Sequence, residues 1–132
     1  MEKELKEKLI REAARARNFA RVPTSGFHVG AALLTKSGDI ITGCNVELST
    51  TLSSICAERT AMVKAVSMGF NEFEAIAVVS DAGKAVSPCS FCRQYLIDFG
   101  KDIKVIMSDP EMKDVVEMTA EELVPMAFLG SK

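Results

Sequence analysis

The 132-residue chain has no tryptophan, a single tyrosine and a single histidine, and only 6% of its residues are aromatic. Proteins that grip single-stranded nucleic acid set aromatic side chains among basic ones, so this composition argues against a polynucleotide partner. An excess of one charge is lacking too: 16 lysines and arginines stand against 18 acids, a net charge of −2, with no long block of either sign. The overall field holds no special attraction for nucleic acid or anionic lipid, and a small molecule is the expected partner. No apolar run is long enough to span a bilayer, and the opening Met1-Glu2-Lys3-Glu4-Leu5-Lys6-Glu7-Lys8 is charged where a signal peptide is apolar. A cytoplasmic protein without membrane contact is expected, with its thiols reduced. At 48% hydrophobic residues the chain can build a real core, and a single domain over residues 1–132 is expected.

The hydrophobic pattern gives an order of elements. Leu5, Leu9, Ala13, Ala16 and Ala20 recur at helical spacing, which predicts an amphipathic helix from Glu2 to Ala20. Val22-Pro23-Thr24-Ser25-Gly26 breaks it, and Val29 to Leu34 and Ile40 to Asn45 flank Lys36-Ser37-Gly38-Asp39 as an antiparallel hairpin. Val46 to Ser54 is a polar loop in which Ser53 or Ser54 can cap a helix running from about Cys56 to Met68 and closed by Gly69. The continuous apolar run Ala75 to Ser80 marks a strand buried on both faces, and Ser87-Pro88 and Gly100 bracket a second helix. Ile103 to Met107 is a further strand, Val115 to Met118 a shorter one, and Thr119 with Glu122 forms a capping box. Alternation of this kind predicts a layered α/β domain with parallel strand-helix-strand units.

What the chain does have is cysteine in a telling arrangement. Cys56-Ala57-Glu58 and Pro88-Cys89-Ser90-Phe91-Cys92 each fall where a strand turns into a helix, the position at which α/β sheets gather their sites. Cys56, Cys89 and Cys92 fill three of the four positions of Zn2+ and leave one open, the pattern of a hydrolytic centre. Zinc with three thiolates carries a formal charge of about −1, which two helix starts of roughly +0.5 each can offset. Arg59 and Arg93 are candidate electrostatic tuners of that centre. Glu58 is long enough to reach back over the helix start and move a proton between water and a substrate nitrogen. Cys44 is left over on an apolar strand as packing, and His28 lies at a strand edge.

Two blander readings compete. Cys89-x-x-Cys92 alone also occurs in redox proteins and in structural zinc sites, but a dithiol leaves Cys56 and Glu58 unexplained, and a structural zinc needs a fourth ligand.

The sequence around these motifs resembles the cytidine deaminase family, in its short three-cysteine zinc form. Cys56-Ala57-Glu58-Arg59 and Pro88-Cys89-Ser90-Phe91-Cys92-Arg93-Gln94 carry the likeness, and Phe27 to Leu34, Gly43 to Glu47 and Glu122 to Phe128 extend it in order over nearly the whole chain. The resemblance implies a mixed α/β fold, a sheet of about five strands with helices on both faces. It also implies Zn2+ as cofactor, Glu58 as proton shuttle, and activated water attacking C4 of cytidine or 2'-deoxycytidine in pyrimidine salvage. Asn45 and Glu47 would hydrogen-bond the ribose, Phe27 would pack on the nucleoside, and Ala57 would line its pocket. Phe128 would reach a neighbouring subunit's site in a homotetramer whose sites lie at subunit contacts.

The chain departs from the family in one region. Thr24-Ser25-Gly26 replaces tyrosine-serine-lysine, Leu48 replaces asparagine, Thr51 replaces tyrosine, and Leu52 and Ser53 follow where glycine and leucine are usual. Substrate choice is expected to rest on this region, with a bulkier cytosine nucleoside, N4-substituted or of the blasticidin type, as the alternative substrate.

Overall fold

A computed structural model of the protein describes residues 1–130. Helix α1 (Lys3–Ala16) buries Leu9, Ile10, Ala13 and Ala16 and then tightens into a single 3-10 turn, Arg17–Phe19. The helix is thus shorter than its periodicity predicts. After Ala16 the apolar stripe ends, since Phe19 points to solvent, and Arg17 turns its guanidinium onto Ser80 O at 3.2 Å.

The strands in chain order are β1 (Val29–Thr35), β2 (Ile40–Cys44), β3 (Val46–Glu47), β4 (Ser54–Ile55), β5 (Phe73–Ser80), β6 (Lys104–Ser108) and β7 (Val115–Thr119). Five of them form one mixed sheet in the order β2-β1-β5-β6-β7. Only β5 and β6 pair in parallel; β2 with β1, β1 with β5, and β6 with β7 are antiparallel. The expected hairpin of β1 and β2 is present, closed by Thr35 N donating to Asp39 O at 2.9 Å.

The remaining helices are α2 (Ala57–Ser67), α3 (Ser90–Phe99) and α4 (Ala120–Leu123). Alternation along the strands divides the core between two faces. Ala32, Leu34, Ala75, Ala77, Val79 and Ile106 meet Leu9, Ile10 and Ala13 of α1 on one. Ala31, Leu33, Ile76, Val78, Val105 and Met107 meet α2, α3 and α4 on the other, through Ala61, Met62, Leu96, Ile97 and Leu123. Helices on both faces of a mixed five-stranded sheet are what the family resemblance implies. Each fully buried aliphatic side chain here contributes about 1.5–3 kcal/mol. The Thr119–Glu122 capping box forms as expected, with Glu122 Oε1 accepting from Thr119 N at 2.8 Å.

Strand directions explain why the chemistry-bearing residues meet. Because β2 and β5 are each antiparallel to β1, they run parallel to each other with β1 between them. Their carboxyl ends and the start of β1 therefore share one edge of the sheet. From this edge β2 leads toward α2, β5 leads toward α3, and Phe27 and His28 enter β1.

The polar loop expected after Asn45 contains structure of its own. Val46 pairs with Ile55 and Glu47 with Ser54, forming a two-stranded antiparallel ribbon that delivers the chain to Cys56. Ser54 is consumed in that ribbon, so the cap of α2 is Cys56 itself, with no side-chain capping bond.

Helix α2 lies against the sheet at Gly43. A Cβ there would fall 2.5 Å from Ala61 N and 2.6 Å from Ala57 O. Gly43→Ala is accordingly expected to push α2 away and cost about 3 kcal/mol in urea unfolding, with zinc affinity falling as well. An unchanged unfolding midpoint would contradict this packing.

Candidate metal centre and substrate cleft

Cys56 and Cys89 are the N-cap residues of α2 and α3, and Cys92 lies in the first turn of α3, fully buried. Both helices thus begin at one point. The Sγ atoms of Cys56 and Cys89 are 3.6 Å apart, those of Cys89 and Cys92 are 3.5 Å apart, and all three lie within 4.8 Å of one another. Zinc–sulfur bonds of about 2.3 Å at tetrahedral angles place sulfurs about 3.8 Å apart, so the donor set fits that ion.

Among the described residues no fourth His, Cys, Asp or Glu joins the cluster. His28 is engaged elsewhere, its Nδ1 2.8 Å from Asp81 Oδ2, and Cys44 sits in β2 opposite Gly30. A structural four-ligand zinc site is not what these residues build.

The electrostatics are strongly polarised. The neighbouring Cys92 thiol, aided by Arg59, holds the Cys56 thiol well below its ordinary range against the opposing effect of burial. Proximity to Cys56, with burial, pushes the Cys92 thiol up. Arg59 Nη2 lies 3.5 Å from Cys56 Sγ, and its guanidinium stacks 5.6 Å from the centre of the Phe91 ring. Arg93 makes no hydrogen bond to sulfur. It donates to Pro88 O at 2.8 Å, Ser87 Oγ at 2.6 Å and Leu123 O at 3.3 Å, pinning the segment before Cys89 to the end of α4. Any charge it lends the thiolates acts without direct contact.

Glu58 is only 4% exposed, and burial pushes its carboxyl up to about 7. The Cys56 thiolate adds to the rise and Arg59 opposes it. A carboxyl half-protonated near neutral pH is suited to passing a proton in both directions.

Beside Cys56 and Cys89 opens a small cleft of about 180 Å³. Phe27, Asn45, Cys56, Ala57, Glu58 and Cys89 all line it, with Val29, Ser54, Val78, Ser80, Val86 and Ser87. Glu47 lines an adjoining hollow with Thr24, Leu48, Thr51, Leu52, Ser53 and Ser54, and Ser54 is common to both. The departures from the family pattern thus gather beside Glu47. Phe128 lines neither space; its ring is exposed, and Gln94 Nε2 donates to its carbonyl at 2.7 Å. The walls formed by Val86 and Ser87 were not singled out by sequence. Their only signal is position, just before Pro88-Cys89.

A three-thiol zinc centre at paired helix starts, open on one side and faced by a buried carboxylate, defines the zinc-dependent deaminase class. Residues 3–108 match the family described as the cytidine and deoxycytidylate deaminase zinc-binding region, and the chain belongs to that family. A cytidine deaminase from Sporosarcina psychrophila is 47% identical over 92% of this chain and 90% of its own. A crystal structure of cytidine deaminase from Burkholderia pseudomallei superposes with a TM-score of 0.86 at 42% identity, covering 92% of this chain and 98% of that one. A blasticidin-S deaminase from Bacillus cereus is less similar, 37% identical over 76% of each chain.

The burial of Glu58 has a measurable consequence for stability. Its carboxyl titrates at about 7 when folded against 4.5 ordinarily, so the folded state holds the extra proton between those values and stability falls as pH rises through that window. Zinc-stripped Glu58→Gln is therefore expected to exceed zinc-stripped wild type at pH 8 by up to about 3 kcal/mol, with the gain vanishing below about pH 4.5. Thermal unfolding across pH measures it, and a gain that grew toward acid pH would contradict the effect of burial.

Proposed function

We propose that this protein hydrolyses cytidine and 2'-deoxycytidine to uridine and 2'-deoxyuridine with release of ammonia. The observation that carries the reading is Glu58, buried in a cleft shared with Cys56 and Cys89, two of the three sulfurs of a zinc set that leaves one position open. When bound, zinc supplies the Lewis acidity that makes water a usable nucleophile near neutral pH. Glu58 takes a proton from that water and hands it to a substrate nitrogen, while water oxygen replaces the amino group at C4. Arg59, in contact with Cys56 Sγ, and the two helix starts offset thiolate charge that would otherwise make the water a poorer acid.

On the substrate side, Phe27 offers a ring to pack on the nucleoside, and Ala57 gives the cleft a small, fully buried wall. Asn45 Oδ1 accepts from Val29 N at 2.9 Å and Nδ2 donates to Phe27 O at 2.9 Å, leaving one N–H for the sugar. Glu47 supplies the complementary acceptor. Phe128, exposed with Met126 and Leu129 on the same tail, completes a neighbour's site in a homotetramer. The family resemblance supports that assembly, and sedimentation at four chain masses is its expected signature. A single domain working in the cytoplasm, where ligand thiols stay reduced, and a role in pyrimidine salvage belong to the same reading.

Zinc-loaded protein is expected to bleach the ultraviolet absorbance of cytidine and deoxycytidine faster than that of blasticidin-type nucleosides. The reverse order would transfer the assignment to the bulkier substrates. Glu58→Ala is expected to keep zinc and lose turnover by about 10²-fold or more, whereas Cys89→Ala loses the metal. Near-normal rates in Glu58→Ala would remove the carboxylate from the mechanism.

A further inference from the structure

We infer that Ser25 is a positioning residue for sugar recognition, its hydroxyl holding the Glu47 carboxylate and the Phe27 backbone in one fixed arrangement. The inference rests on the proposed assignment of Glu47 to the sugar. Residues 22–26 form a tight turn closed by Gly26 N donating to Val22 O at 3.0 Å, and Gly26 adopts φ +67°, which glycine reaches without strain. The turn aims two successive backbone N–H groups at one carboxylate oxygen: Thr24 N and Ser25 N lie 3.2 and 3.0 Å from Glu47 Oε1. Ser25 Oγ donates to the other oxygen, Oε2, and accepts from Phe27 N at 3.0 Å.

One hydroxyl therefore joins two residues that face the substrate. Asn45 Nδ2 takes the opposite end of the same unit by donating to Phe27 O, so Phe27 is gripped at its N–H by Ser25 and at its carbonyl by Asn45. The main chain of Glu47 is held separately, its N–H donating to Arg21 O at 2.7 Å. What the turn adds is control of the side chain. A carboxylate has about four acceptor positions. Three are filled by Thr24 and Ser25, which leaves one, on Oε2, for a substrate hydroxyl. Consistent with this, the Ser25 hydroxyl is the foremost cause holding the Glu47 carboxyl below its ordinary range. Removing the hydroxyl frees Oε2 to turn toward water and loosens Phe27. Because Ser25 is itself exposed, its loss leaves no cavity in the core.

The test compares kcat/KM of zinc-loaded Ser25→Ala and wild type on cytidine and on 2',3'-dideoxycytidine, which lacks the 2' and 3' hydroxyls and keeps the 5' one, with zinc content measured alongside. Ser25→Ala is expected to keep its zinc and lose about tenfold on cytidine, mainly through KM, with a clearly smaller loss on dideoxycytidine, which feels only the loosening of Phe27. Ser25→Thr, which retains a hydroxyl, is expected to restore the preference. Equal losses on both substrates, or none on either, would overturn the role of Ser25 alone. Wild type that turned over both substrates equally would instead overturn the sugar assignment of Glu47 and the inference with it. Wild type inert toward cytidine would overturn the deaminase reading itself.

Discussion

Three cysteine sulfurs packed within 4.8 Å of one another are tolerable only where positive charge converges on them, and two helix starts provide it. That requirement fixes much of the molecule. For α2 and α3 to begin at one point, the strands that lead to them must end on the same edge of the sheet, and β1 must be antiparallel to both. The mixed sheet is thus the simplest frame that brings Cys56 to Cys89. Close approach of α2 to β2 at Gly43 sets the depth at which Cys56 and Glu58 sit, so packing on this face of the sheet and metal geometry are one problem.

The same convergence sets the chemistry of its neighbours. Cys56 is held as a thiolate by Cys92 and Arg59, while burial raises Glu58 toward neutrality. Two acidic groups two residues apart are thereby pushed in opposite directions by different causes. In the proposed function one serves as ligand and the other as proton carrier, a division of labour that depends on Glu58 being sealed from bulk water. The residues proposed to recognise the sugar are organised differently. They lie on exposed turns and on a short ribbon, and hydrogen bonds fix them where packing does not.

How much of this could be read from sequence follows the same divide. Cysteine spacing, the apolar run into Ser80, the hairpin around Gly38 and the Thr119–Glu122 box are dictated by local chemistry, and each appears as expected. The end of α1 is less legible, because Ala20 keeps the helical spacing although the chain leaves the helix after Ala16 and Phe19 turns outward. The β3–β4 ribbon leaves no mark in the sequence, since two-residue strands of polar and mixed residues carry no periodicity. Arg93, expected as an electrostatic tuner, makes its hydrogen bonds to Pro88 and Leu123, a placement decided by where α4 returns. Ser25 falls in the Thr24-Ser25-Gly26 stretch tied to substrate choice, yet nothing in the sequence links it to Glu47. Its importance comes from a turn that meets Glu47 across 22 positions of sequence, and only three-dimensional folding supplies that meeting.

The proposed reaction adds water to C4 of a cytosine nucleoside and expels its amino group. Turnover of cytidine in water enriched in oxygen-18, followed by mass spectrometry of the product, examines that claim directly. Uridine carrying one heavy oxygen at C4 for each ammonia released is the expected result. Uridine without the label, or ammonia without uridine, would contradict it.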